Sequence, residues 1–289
     1  MSDRQSAGSS RPWRLLGAVD PAELRQTRLT LHHAAQLLAS FGQALLAARE
    51  DDSHRGMTWH EEGAGFASDE TDQGLVARLS VERFALELWQ DGERIAALDL
   101  TGRRPSQALS WLGNQVAGED DTERMTWPEY DLPSRPGGQD APLEPGAESL
   151  SELGAWYANA DRTLQVLFGD VAEASALRCW PHHFDLATLL TYPSEDADGE
   201  VVYVGIGFSP GDEGIPDPYY YVNGWPSPGP DQLPELSGPG AWHREGWVGA
   251  VLRAGEFVGT TSADEQEQAV TAFLTAAVDA MRTTVLANR

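Results

Sequence analysis

The chain has no lysine, one cysteine and only three isoleucines in 289 residues. Without lysine there is no Schiff-base amine and no P-loop lysine, which removes two routes to catalysis. The lone Cys179 cannot form an internal disulfide, and beside Trp180 it reads as a small buried residue rather than a nucleophile. No stretch approaches the ~20 consecutive apolar residues that span a bilayer. The opening "MSDRQSAGSSRPW" is polar with no apolar run behind it, so the expected location is the cytoplasm. Two fingerprints are also missing: a Gly-x-Gly-x-x-Gly turn after a strand and a Gly-x-Ser-x-Gly elbow.

Positive charge is scarce as well. All 20 basic residues are arginine, against 45 acidic ones, for a net charge of −25. No basic stripe offsets this charge, which argues against nucleic acid and against anionic membranes. What remains is a soluble acidic protein with 41% hydrophobic residues, enough for a core.

Apolar periodicity divides the chain into two similar halves, 13–118 and 149–289. Between them lies a crossing segment, 119–148, rich in proline, glycine and acid. The first half opens with a helix capped by Asp20-Pro21, whose stripe is Leu31, Ala35, Leu38, Phe41 and Leu45. Strands are expected over 56–66, 75–90 and 93–100, the last two joined at Asp91-Gly92, and a short helix follows Gly102. The second half opens with a helix capped by Ser149 or Ser151. Strands are expected over 177–192, 200–210 and from 216, with two short ones around Ala254-Gly255. A final helix starts at the capping box of Ser262 and Glu265. Antiparallel strands bounded by helices give an α+β fold, with antiparallel sheets packed on amphipathic helices. Both halves run helix, strands, helix, so an internal duplication is expected to give two superposable units.

The densest cluster of reactive side chains is "CWPHHFD", residues 179–185. Read as a strand, it places His183 and Asp185 on one face and His182 and Phe184 on the other. A His-x-Asp pair plus the distant His243 has the composition of a facial metal triad, and Arg253 follows ten residues on. A divalent metal at His183, Asp185 and His243 is therefore one candidate, and would make the chain a metal-dependent, oxygenase-like enzyme. His32 and His33 are adjacent on a helix and point about 100° apart, a poor chelate. The acids of "SPGDEGIPDP" lack the ligand spacing of an EF-hand.

Aromatic residues offer a second candidate. In "PYYYV", Tyr219 and Tyr221 share a face; with Trp180, Tyr203 and Trp225 they supply rings for a ligand-binding surface on the second half. Four pieces, "TLHHAAQLL" (30–38), "WYANADRTLQVLFGDV" (156–171), "FDLATLL" (184–190) and "IGFSPGDEGIPDPYYYVNGWP" (206–226), resemble an uncharacterised bacterial family known only as a domain of unknown function. The resemblance implies a shared fold and no particular activity. The leading expectation is a module that binds a small, partly apolar molecule. The alternatives are the metal enzyme and an acidic module that meets a basic protein partner.

Overall fold

A computed structural model describes residues 12–116, 125–193, 201–259 and 262–287. Helix α1, Pro21–Leu45, begins as expected: the Asp20 carboxylate accepts from the Ala22 N–H at 2.8 Å, and Pro21 occupies the first turn. From Thr27 to Gly42 the helix is buried all round, because it is wedged between helices and a sheet. A five-stranded meander follows: β1 (Thr58–His60), β2 (Gly65–Ala67), β3 (Leu75–Ser80), β4 (Ala85–Gln90) and β5 (Glu93–Asp99). Then come α2 (Pro105–Val116) and α3 (Ala147–Phe168). The α3 cap is Gly146, not the expected Ser149 or Ser151; the Gly146 N–H donates to Thr27 Oγ1 of α1.

The second half carries β6 (Arg178–Trp180), β7 (Asp185–Tyr192), β8 (Val202–Ser209), β9 (Tyr219–Trp225), β10 (Ala241–His243) and β11 (Gly249–Arg253). They form an antiparallel sheet in the order β10-β11-β9-β8-β7-β6. Helix α4, Ala263–Ala287, closes the chain behind Ser262, whose Oγ accepts the Glu265 N–H and donates to Glu265 Oε2, which is half of the expected capping box. The short strands β10 and β11 flank 244–248, not Ala254-Gly255, which belongs to a turn of 3-10 helix. The fold is α+β, as expected. The order helix, strands, helix occurs twice, but the sheets differ in strand number and order, and an internal repeat is not confirmed. Residues 194–200, which join the strand expected over 177–192 to the next one, lie outside the described residues.

The two sheets meet edge to edge. Met57, just before β1, exchanges both backbone hydrogen bonds with Cys179 of β6, at 3.0 and 2.7 Å. Beside this joint Arg178 binds Asp69 through two nitrogens, at 3.0 and 3.1 Å, and Arg49 binds the same carboxylate at 2.6 Å. One apolar core runs through both halves, from Leu31 and Leu79 to Ile206 and Phe273. In α4, Val270, Phe273, Leu274, Ala277 and Met281 are buried in it. By length and mean hydropathy, 1.3 over 18 residues, α4 passes a composition test for a membrane crossing, a test that a helix packed on a core also passes.

Three hairpins stand where single strands were expected. The expected strands 56–66, 75–90 and 177–192 each fold back on themselves: β1 on β2, β3 on β4, and β6 on β7. Each four-residue turn ends in a left-handed residue, Ala64 (φ 43°), Phe84 (φ 46°) or Phe184 (φ 59°). A left-handed conformation costs a non-glycine residue about 1–2 kcal/mol. Phe84 and Phe184 are only 2% and 1% exposed, and burying a phenyl ring outweighs that cost. His182 and His183 therefore stand in a turn, not in a strand.

Where α3 passes the first of these turns, Asp161 lies near Glu61. Burial, and then the Glu61 charge, raise the Asp161 carboxyl from 3.8 to about 7. A carboxyl that holds its proton more tightly when folded favours the fold at low pH and loses that advantage as pH rises from about 4 to 7. Asp161→Asn is expected to stabilise the protein at pH 8 by about 1–3 kcal/mol, since partial solvent access softens the full effect, and to change little at pH 4. Urea denaturation at both pH values checks this.

Candidate functional site

The strand register divides the side chains of the second sheet between two faces. Tyr220, Val222 and Gly224 of β9 face the helices: Tyr220 packs near Trp156 of α3, and a Cβ on Gly224 would strike Met281 and Val285 of α4. Tyr219, Tyr221, Asn223 and Trp225 face the opposite way. Their partners on β8 are Ser209, Gly207, Gly205 and Tyr203. The two glycines let the longer side chains lie flat. A Cβ on Gly207 would stand 2.6–2.8 Å from the Tyr221 hydroxyl and ring, and one on Gly205 would stand 2.3 Å from Asn223. Tyr221 thus crosses β8 and donates its hydroxyl to Asp185 Oδ2 on β7, at 2.5 Å.

Asp185 is 9% exposed, and its second oxygen, Oδ1, is buried with no hydrogen-bond partner. It is the only carboxylate oxygen in that condition among the described residues. Burial raises the Asp185 carboxyl above its ordinary value, while the Tyr221 hydrogen bond and the charge of His183 pull it back. Burial, and then the neighbouring Asp185, push the Tyr221 hydroxyl well up, so it remains a donor. Asp185, Tyr219, Tyr221 and Asn223 line a hollow of about 280 Å³. His183, Asp212 and Trp247 are shared with a neighbouring hollow of about 540 Å³, and the two form one cleft.

The walls of the cleft are held firmly. The Pro181 carbonyl accepts from Gln36 Nε2 at 2.7 Å and pairs with His32 Nε2 at 2.8 Å, both from α1. The Tyr157 hydroxyl of α3 donates to the Phe184 carbonyl at 2.6 Å. His32 stacks on Phe184 with centroids 5.0 Å apart, and burial lowers its imidazole from 6.5 to about 3. His32 is therefore neutral at ordinary pH and donates its ring N–H to Pro181. Opposite, Asp212 shapes the loop after β8. Its Oδ1 accepts the N–H groups of Gly214 and Ile215, both at 2.7 Å, and its Oδ2 accepts the Tyr219 hydroxyl at 2.5 Å. Ile215, Tyr219 and Val251, with Tyr221 and Trp247, make a small apolar cluster on this outer face.

The expected site residues are distributed unevenly. Tyr219 and Tyr221 line the cleft, as do His183, Asp185 and His243. His183 neighbours Asp185 because a turn ends there, not because both sit in a strand. Among the described residues, no group of three or more His, Cys, Asp and Glu side chains is arranged to hold a metal. Trp180 sits beside His182 and lines neither hollow, with ring centroids 6.3 Å apart. Tyr203 and Trp225 pair with each other at the opposite end of the sheet. Periodicity also passed over Arg28. Stepping back three residues from Leu31 along the apolar stripe of α1 reaches this arginine, and a cation on a core stripe is a legible signal.

No protein family, curated protein or solved structure matches the chain. The cleft must therefore be weighed on its own chemistry against other hollows. A pocket of about 330 Å³ on the first sheet surrounds Glu87, but that carboxylate is fully engaged by Arg83, Arg94 and the Trp89 indole N–H. A hollow of about 1070 Å³ is an open groove along α4, and among the described residues no buried unpartnered polar atom lines it.

Proposed function

We propose that the chain binds a small, partly apolar molecule in the cleft between the 181–184 turn, the loop after β8 and the outer face of β9. The observation that carries this reading is the buried, unpartnered Oδ1 of Asp185. Leaving a buried polar atom unmatched costs about 1–3 kcal/mol, and a ligand group that reaches it recovers that cost. Support comes from the rings of Tyr219, Tyr221 and Trp247 around the same hollow, and from a combined size suited to a metabolite. The turn carrying His183 is fixed by two helices, so the walls are already in place before a ligand arrives.

A protein-observed NMR screen of a few hundred fragments tests this. Binders are expected to shift the Trp247 indole N–H and the backbone of 183–185, and to lose affinity by about tenfold or more in Asp185→Leu. Binders that gather along α4, with the Trp247 and 183–185 signals unmoved, would contradict the proposal.

A further inference from the structure

Resting on this reading of the cleft, we infer that its ligand is a hydroxylated aromatic acid whose carboxylate is received by Arg28. The side chain of Arg28 leaves α1 and reaches the 540 Å³ hollow at 5% exposure. A cation this deeply buried normally pairs with a carboxylate. Arg28 does not: among the described residues no carboxylate oxygen lies within 4 Å of it. Its Nη1 donates to the Pro216 carbonyl at 3.1 Å and to the Pro210 carbonyl at 3.4 Å, and among the described residues no other hydrogen bond engages its guanidinium. The neighbouring backbone is shaped for this approach. Gly211 has φ 103°, and a Cβ there would lie 2.3 Å from Arg28 Nη1. Planar, with free N–H groups in fork geometry, the guanidinium matches a carboxylate.

The acidic residues around the cleft do not supply that partner. Asp131, Glu213 and Glu245 are exposed at the mouth, where water screens them. The Asp212 charge favours the Arg28 guanidinium from beyond contact distance, but its oxygens are occupied by Tyr219 and two backbone N–H groups. The other end of the ligand must satisfy Asp185 Oδ1. A hydroxyl does so whether or not that oxygen carries a proton, because it both donates and accepts. Between the two polar ends, the rings of Tyr219, Tyr221 and Trp247 favour a flat, unsaturated body.

The experiment uses three probes with one ring and three charges: 4-hydroxyphenylacetate, the neutral 4-hydroxyphenylacetamide and the cation tyramine. Each is titrated into the full chain up to roughly 20 mM, where even millimolar affinity is visible. The readouts are the Trp247 indole N–H and the Arg28 Nε–H. The acid is expected to bind about tenfold or more tighter than the amide, to move both signals, and to lose its advantage in Arg28→Gln. Should that variant fail to fold, the comparison of acid, amide and amine on the unaltered chain still decides. Equal binding of acid and amide at Trp247, or tightest binding by tyramine, would overturn the acid assignment and leave the cleft reading standing. If no probe moves Trp247, both fall.

Discussion

Gly207→Ala is expected to destabilise the protein by about 3 kcal/mol, far more than an exposed-face Gly-to-Ala change in a strand ordinarily does. The added methyl has nowhere to go: three atoms of the Tyr221 side chain lie 2.6–2.8 Å from the Cβ position. The ring cannot simply turn aside, because its hydroxyl is tied to Asp185 Oδ2. Overpacking costs about 1–3 kcal/mol, and stripping a buried carboxylate of its donor adds a similar amount. Gly205→Ala makes the contrast. Its Cβ would meet the end of the Asn223 side chain, which can rotate away, so the loss is expected to stay below about 1 kcal/mol. A double-mutant cycle checks the cause: in a Tyr221→Ala background the Gly207→Ala penalty should fall below about 1 kcal/mol. A penalty undiminished in that background would mean that the strand itself, not the Tyr221 bridge, needs the glycine.

His32 is expected to make the fold sensitive to mild acid. Its imidazole sits near 6.5 in the unfolded chain and at about 3 in the buried site. Between those values the unfolded chain takes up a proton that the folded one refuses. The contribution of His32 is therefore complete above about pH 6.5 and is lost as pH falls toward 3. At 1.36 kcal/mol per pH unit, going from pH 7 to 5 costs about 2 kcal/mol. Asp161 works the other way over the same range, since its carboxyl gains a proton on folding, so the raw pH profile mixes both. His32→Phe isolates the histidine: it keeps a ring against Phe184 and leaves Gln36 on the Pro181 carbonyl. The stability difference between wild type and variant should shift by about 2 kcal/mol against wild type from pH 7 to 5. A constant difference would mean that His32 protonates as readily in the fold as outside it.

The parts of this structure legible in the sequence are those written in local chemistry. Asp20-Pro21 starts α1, Ser262 with Glu265 starts α4, and Asp91-Gly92 turns β4 into β5. The 81–84 and 181–184 turns were hidden because their left-handed position is taken by a phenylalanine rather than a glycine. A buried ring holds a backbone that the local sequence gives no reason to expect. Alternation along β9 placed Tyr219 and Tyr221 together, but it carries no information about distance along the strand. Trp225 is six residues from Tyr219, roughly 20 Å at the strand rise, and so belongs to the other end of the face. The Met57–Cys179 joint and the approach of Arg28 to Pro210 and Pro216 link positions more than a hundred residues apart, and no periodicity reports such contacts.

The account depends on Asp185 being a carboxyl engaged on one oxygen and buried without a partner on the other. Its side-chain carboxyl carbon, followed by carbon-13 NMR from pH 2 to 8, tests this most directly. The expected result is an inflection clearly above the ordinary 3.8, moving when a ligand fills the cleft. An inflection at or below 3.8 would mean that both oxygens are already satisfied by water or protein, and the case for a ligand at that position would be lost.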